Sequence, residues 1–383
     1  SLLIEPHGGR LISRFGNDKE IRNADSLFKV KIKQTDLMDC EQIANGTYSP
    51  ITGFMNQETL YSVLESNRLP NGNIWTMPII LQLTFNEKSL ISSGDRVGLT
   101  DNNNTVCAIL DITEIYKINM QSVAKSWFGT TSINHPGVAR FMERGENCVA
   151  GDITMIQQPP SMYSHYQLTP AQTRFLFDHK GWNIVIGFHT RNPAHRVHEY
   201  IQQSALKDYF ADGLYISPII GPRKSGDFLP NIVMDSYQML IEKGIYPENK
   251  VVLGSFYTYP RYCGPRETVF TMLCRKNMGC SHFIIGRDHT GVGNFYGSEE
   301  NEKFLESIGD TGIKPILFQE IGYSKLKKKF VKVDNKKDIL KISGTRIRKA
   351  IRAGDKLPDW FMRTYIQDML HNFREKGDEL FES

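Results

Sequence analysis

The arrangement of apolar positions changes character near residue 166. Beyond it, short apolar runs at 183–188, 214–220, 250–256, 282–285 and 315–318 alternate with longer stretches. In those stretches, at 195–209, 231–243, 265–278 and 299–308, apolar residues recur at helical spacing. Short apolar runs predict strands buried on both faces, and the stretches between them predict crossover helices. The pattern specifies a parallel sheet in an α/β domain. Pro265 suits the first turn of its helix and Gly279 suits its end. Ligands of such sheets sit beyond the carboxyl ends of the strands, so residues just after each apolar run carry the most weight.

Before residue 166 the apolar runs are broken by turn residues, at Gly8-Gly9, Pro50, Gly53, Asn71-Gly72 and Gly94-Asp95. Runs at 75–83, 96–99 and 105–112 predict strands and 56–64 predicts a helix, giving a β-rich domain with inserted helices. After residue 312 lysines accumulate, at Lys325, Lys327, Lys328, Lys329, Lys332, Lys336 and Lys337. There Ile342-Ser343-Gly344-Thr345-Arg346-Ile347-Arg348 opens a predicted helix that ends before Gly354. The expected domains are 1–165, 166–312 and 313–383.

Composition narrows the function classes. The 383 residues are 40% hydrophobic and 23% charged, with a net charge of +4. That charge is too small to argue for nucleic acid, and no basic stripe interleaved with aromatics supports an RNA-binding role. It suits an enzyme of anionic substrates. The six cysteines form no C-x-x-C pair, so reduced thiols in a cytoplasmic protein are expected, without structural zinc. No leader and no apolar run of membrane-spanning length is expected.

The richest chemistry follows the run 183–188. His189-Thr190-Arg191-Asn192-Pro193-Ala194-His195-Arg196-Val197-His198-Glu199 joins a strand end to a helix start. Unpaired backbone N–H groups and the positive end of the helix dipole favour anions there. His195 and His198, three residues apart, share one helix face. Arg191 can grip an oxyanion through two donors. A second junction, Gly286-Arg287-Asp288-His289-Thr290-Gly291-Val292-Gly293, follows the run 282–285. Its glycines permit close backbone approach to a ligand, Arg287 and His289 can meet oxyanions, and Asp288 can orient a neighbour or join a metal shell. Read alone, that junction is also an ordinary glycine-rich turn. Ser343 and Thr345 either cap their helix or meet a ligand, and Arg348 either binds phosphate or faces solvent. Tyr257, Tyr259 and the stretch Pro260–Glu267 form a candidate active-site wall in which the roles of Arg261 and Arg266 stay open.

These motifs together resemble one family. Thr190–Glu199 is similar to the T-R-N-P-x-H-R-x-H-E signature of ATP sulfurylases, Gly286–Gly293 to their G-R-D-H-A-G-x-G, and Ser343–Arg348 to their S-G-T-x-x-R element. Pro6-His7-Gly8-Gly9, Tyr48-Ser49-Pro50, Gly53-Phe54-Met55 and His135-Pro136-Gly137-Val138 resemble further landmarks in order, so the likeness covers nearly the whole chain. It implies a PUA-like β-barrel domain first, then a Rossmann-like nucleotidyltransferase domain, then a small α/β domain. It implies adenylyl transfer from ATP to sulfate, with Mg²⁺ accompanying ATP, no nucleic-acid or membrane partner, and a homodimer.

The resemblance also implies residue roles. The catalytic set is Thr190, Arg191, Asn192, His195, His198 and Arg287. Sulfate is held by His189, Arg191 and the backbone near Thr290. ATP is held by Asn192, His195, His198, Gly286, Arg287, Asp288, His289 and Gly291, with adenine near Ile316, Leu317 and Phe318. Two positions depart from the family pattern: His189 stands where Gln is usual, and Thr290 where Ala is usual. No G-x-x-x-x-G-K-[ST] occurs, so the likeness is to the monofunctional form without an adenylylsulfate kinase domain. The competing reading is another adenylyltransferase of the same fold, which leaves Arg191–Pro193 and Gly286–Gly293 unexplained.

Overall fold

A computed structural model of the chain describes residues 1–286, 296 and 299–383. The sheet expected from the apolar runs is present. Its strands are Val185–Phe188, Gly213–Ile216, Val251–Leu253, His282–Ile285 and Lys314–Leu317, and every pairing is parallel. In space, Lys314–Leu317 lies at one edge, followed by His282–Ile285, Val185–Phe188, Gly213–Ile216 and Val251–Leu253. The chain thus starts in the middle, builds outward on one side, and returns to build on the other. That reversal opens a crevice beyond the carboxyl ends of Val185–Phe188 and His282–Ile285.

Side-chain alternation along the strands assigns the two faces. Val185, Tyr215, Phe283 and Ile285 join a core shared with the N-terminal half, whereas Ile186, Phe188, Leu214, Ile216 and Ile284 join the opposite core. The first face is covered by the helix Pro265–Met278, which begins and ends where the sequence places it. The second is covered by Arg196–Asp208 and Pro230–Glu242, with Gly344–Ala353 and Thr364–Glu375 behind them. The predicted strand 214–220 stops at Ile216, two residues before Pro218, which has no N–H to give a ladder. Lys314 pairs with His282, so the sheet runs past 312, where the sequence pattern places a domain border.

The N-terminal half carries a mixed sheet in the order Phe28–Lys31, Arg96–Thr100, Val106–Lys117, Asn147–Met155 and Gly53–Phe54, with Leu81–Leu83 also on Asn147–Met155. Only the last residues of the apolar run 75–83 join it. Trp75 and Met77 are fully buried in the core, and the indole N–H donates to the Met77 carbonyl at 2.7 Å. The helix Gln34–Ala44 escaped the sequence reading because it is buried all round, so it shows no polar stripe. Its acids are satisfied inside: Asp36 takes a two-pronged grip from Arg144 at 2.6 and 2.9 Å, and Asp39 pairs with Arg261 of the second half at 2.8 Å.

After the parallel sheet, Lys329–Lys332, Ile321–Ser324 and Ile339–Leu340 form a small antiparallel sheet that leads into Gly344–Ala353. The expected order of a β-rich half, a parallel-sheet α/β unit and a small α/β end is therefore present. No helix among the described residues is long and apolar enough to cross a membrane.

Candidate functional site

The strand Val185–Phe188 releases the chain into the turn 189–194, whose shape is fixed from two sides. The Thr190 hydroxyl accepts the Asn192 N–H at 3.1 Å, and the Thr190 carbonyl accepts the Ile219 N–H at 3.0 Å. The Ala194 N–H donates to the Ser236 hydroxyl at 2.9 Å. His195 then caps the helix Arg196–Asp208 with extended backbone and without a side-chain cap bond, so its ring is not spent on the helix.

His195 and His198 lie with ring centroids 3.7 Å apart. Phe361 stacks on His195 at 5.1 Å, and Phe188 meets His198 edge-on at 5.3 Å. Burial in this aromatic box pulls His198 from 6.5 to about 4. Burial, followed by the neighbouring His198, holds His195 well below the usual imidazole range. Both rings are therefore neutral near pH 7. Their Nδ1 atoms are shut from solvent and have no hydrogen-bond partner among the described residues. Two unsatisfied imidazole nitrogens are costly, and both residues line the cleft, where the negative charge of a bound phosphate would raise both basicities.

Arg191 completes this side. Its Nε lies 3.6 Å from the buried carboxylate of Asp227, and its guanidinium sits 5.2 Å from the Tyr262 ring centre. Tyr262 donates to Asp227 at 3.2 Å, and Arg348 approaches the other carboxylate oxygen at 3.9 Å. Lys224 reaches over the same Tyr262 ring. Arg191, Lys224 and Arg348 thus gather around one carboxylate, with Arg191 and Lys224 lining the cleft and Arg348 the groove beside it. His189 is oriented from behind, where Arg275 Nη2 donates to its Nδ1 at 3.0 Å.

A cleft of about 810 Å³ collects these groups, and His189, Thr190, Arg191, Asn192, His195, His198, Gly286 and Phe318 all line it. Ile316 does not, because strand alternation buries it in the sheet core, and Leu317 is 44% exposed outside the cleft. Arg287, Asp288, His289, Thr290 and Gly291 fall outside the described residues. A second groove of about 760 Å³ runs beside Arg196–Asp208, lined by Arg363, which pairs with Glu199 at 2.8 Å, and by Lys207 and Lys250, but neither His195, His198 nor Arg191 reaches it. Chemistry selects the histidine-lined cleft.

The structure places several residues whose roles the sequence leaves open. Arg261 pairs with Asp39, Tyr259 donates to the same Asp39 at 3.2 Å, and Arg266 binds the Leu64 carbonyl and Asn67 in the N-terminal half at 2.7 Å each. They join the two halves, and of the wall only Gly264 and Pro265 reach the cleft. Ser343 caps its helix by accepting the Arg346 N–H at 3.1 Å, while Gly344 and Ile347 face the cleft. Sequence reading missed Lys224, Asp227 and Arg275. Lys224 and Asp227 follow the apolar run 214–220, so position alone could have flagged them. Arg275 lies in the last turn of Pro265–Met278, where a basic residue reads as an ordinary partner of the helix end. Trp360 and Phe361 arrive from far along the chain. Among the described residues no group of three or more His, Cys, Asp or Glu could hold a metal ion.

A family model described as ATP-sulfurylase matches residues 164–373, and one described as a PUA-like domain matches residues 4–158. The chain belongs to the ATP-sulfurylase family. It is 37% identical to a sulfate adenylyltransferase of Hyperthermus butylicus, with 100% of each chain covered. A sulfate adenylyltransferase of Pyrococcus abyssi is 36% identical over 97% of this chain and 98% of its own. One of Symbiobacterium thermophilum is 35% identical over 96% and 95%. A solved structure described as a hexameric APS kinase from Thiobacillus denitrificans shares the fold, with a TM-score of 0.76 at 23% identity, covering 97% of this chain and 68% of that one. Within the ATP-sulfurylase fold, then, the cleft lies where the sheet's chain order reverses, between the two matched domains' shared core and the C-terminal helices.

Proposed function

We propose that this chain transfers the adenylyl group of ATP to sulfate, giving adenylylsulfate and pyrophosphate, and catalyses the reverse. The observation that carries the reading is the neutral pair His195 and His198, whose Nδ1 atoms have no partner among the described residues, beside Arg191 in one cleft at the strand ends. Sulfate is fully deprotonated at neutral pH and needs no general base. The difficulty is bringing two anions together, so positioning and charge stabilisation are the work of the site.

In this reading Arg191, His189 and the backbone near Thr290 hold sulfate. Asn192, His195, His198 and Arg287 hold the nucleotide phosphates, with Thr190 bracing the turn, Gly286 and Gly291 allowing close approach, and Asp288 and His289 beside them. Phe318, rather than Ile316 or Leu317, offers a side chain to adenine. A sulfate oxygen attacks the α-phosphorus in line with the bond to the β-phosphate. The new P–O bond forms as the old one breaks, and pyrophosphate carries away the displaced electron pair. No covalent intermediate with the protein is required.

The described residues offer no multi-carboxylate cage, and Asp227 is already engaged by Tyr262 and two arginines. That donor set fits an ion carried in on the substrate phosphates as MgATP, where Mg²⁺ neutralises phosphate charge. Six buried free cysteines suit a reducing, cytoplasmic setting. The proposed units are 1–165, a catalytic unit from 166 whose sheet includes Lys314–Leu317, and the remaining C-terminal segment, in a homodimer. Exchange of labelled pyrophosphate into ATP that depends on sulfate, and ATP cleavage driven by molybdate, test the activity. Exchange indifferent to both anions would indicate a different acceptor on the same fold.

A further inference from the structure

Arg275 is the least expected group near the cleft. It projects from the last turn of Pro265–Met278 and is fully buried, yet it forms no ion pair among the described residues. Burial lowers it from 12.5 to about 10, which leaves it charged at neutral pH. Its guanidinium is fixed by bonds to the Ser217 hydroxyl at 2.9 Å and the Ser217 carbonyl at 2.7 Å. The face lies over the Phe256 ring at 4.2 Å. One further N–H, on Nη2, points at Nδ1 of His189 at 3.0 Å.

A guanidinium has donors and no acceptor. The nitrogen it meets must therefore be unprotonated, and a neutral imidazole with an accepting Nδ1 carries its proton on Nε2. The route of the arginine is itself prepared. A Cβ on Gly187, in the strand above, would lie 3.1 Å from Arg275 Cγ, 3.1 Å from Phe283 and 3.3 Å from Cys280. Glycine there leaves the space through which the side chain reaches the strand's end.

We infer that Arg275 is a positioning residue for the anion site: its hydrogen bond to His189 Nδ1 fixes the imidazole as the Nε2–H donor. The inference deepens the proposed sulfate role of His189 and rests on it for its functional consequence. It also sets a rule for position 189. A side chain there must accept from Arg275 with one atom and still donate with another. Imidazole and carboxamide meet that rule, whereas a carboxylate accepts but has no donor left.

The full-length protein labelled with ¹⁵N-histidine tests this directly. Long-range proton–nitrogen correlation gives the state of each ring nitrogen, and His189→Gln assigns the signal that disappears. An accepting Nδ1 with a protonated Nε2 is expected at neutral pH. The opposite tautomer, or a doubly protonated ring, overturns the inference. Arg275→Lys and Arg275→Met should turn the single tautomer into a mixture and raise the sulfate KM by about tenfold or more. The ATP KM should stay within about twofold, the signature of a lost ground-state contact to one substrate. His189→Gln should keep sulfate kcat/KM within about tenfold, because the amide satisfies the same rule. A tautomer unchanged in both Arg275 variants would also overturn the inference. If Arg275→Met fails to fold, the unsubstituted spectrum and Arg275→Lys still decide. Sulfate added with a non-hydrolysable ATP analogue should shift the His189 Nε2 signal. An unmoved signal with the tautomer intact would refute sulfate contact while leaving the positioning bond established.

Discussion

Two histidines on one helical face can be solvated surface groups, ligands or donors. Here burial lowers the basicity of both rings and an aromatic box holds them neutral at the cleft, the environment that the proposed phosphate contacts call for. Replacing His195 or His198 by Ala should lower kcat by roughly 10²-fold, the loss expected for one oxyanion donor, with little change in sulfate KM. Near-normal kcat in both single variants of a pyrophosphate-exchange assay would remove them from the reaction. The same burial links stability to pH. The folded His198 titrates at about 4 and the unfolded one at 6.5. As pH falls through that window the unfolded chain binds a proton that the folded chain does not, so stability is lost towards acid. Urea midpoints measured across the window should fall less steeply in His198→Gln than in the unsubstituted protein. At this scale the sequence was readable where residues cluster at a strand–helix junction, as in 189–199. It was silent where a lone residue lines or braces the cleft from elsewhere in the chain, as with Phe361, which lines it, and Arg275, which reaches His189 from behind.

Secondary structure was most legible where strands are buried on both faces. His282–Ile285 and Pro265–Met278 fall where apolar runs, Pro265 and Gly279 place them, because those signals are local. Gln34–Ala44 was hidden because its polar residues are paired inside the fold instead of facing water. One close approach between elements gives a sharp test. Gly187 lies in the strand Val185–Phe188 with ordinary backbone, so an alanine strains no dihedral there and acts only by volume. Gly187→Ala should press on the Arg275 stem, destabilise by about 1–3 kcal/mol as overpacking does, and raise sulfate KM more than ATP KM. Equal effects on both substrates would mean that the packing defect spreads without a direction.

The whole molecule is built on a core that ignores the border between its two halves. Tyr48 and Trp75 of the first half meet Phe270 of the second at 5.2 and 5.8 Å, and one hydrophobic cluster runs through both. The border itself was visible in the sequence as a change of texture, but the shared core was not, since it depends on contacts far apart in the chain. Arg261 and Asp39 are each 3% exposed and pair across the border. Arg261→Ala would leave a buried carboxylate with only tyrosine donors, at a cost of about 3–5 kcal/mol. Both halves should then still melt in a single transition, at lower temperature, in calorimetry. Two resolved transitions would show that the ion pair, more than the apolar core, welds them. The neighbouring contacts of Asn277 differ in kind. Its amide group receives the His7 N–H at 2.8 Å and donates to the carbonyls of Thr47 and Ser49 at 2.9 and 3.0 Å. Those are main-chain partners, indifferent to the side chains that flank them. A gene chimera that takes its first 160 or so residues from a relative would therefore keep the Asn277 anchorage automatically, but would need Asp39 and Tyr48 to be inherited with Arg261. Recombination at the seam is therefore constrained twice, by side-chain pairs such as Asp39 with Arg261 and by the apolar packing of Tyr48 and Trp75 on Phe270, and is free only where the partners are main chain.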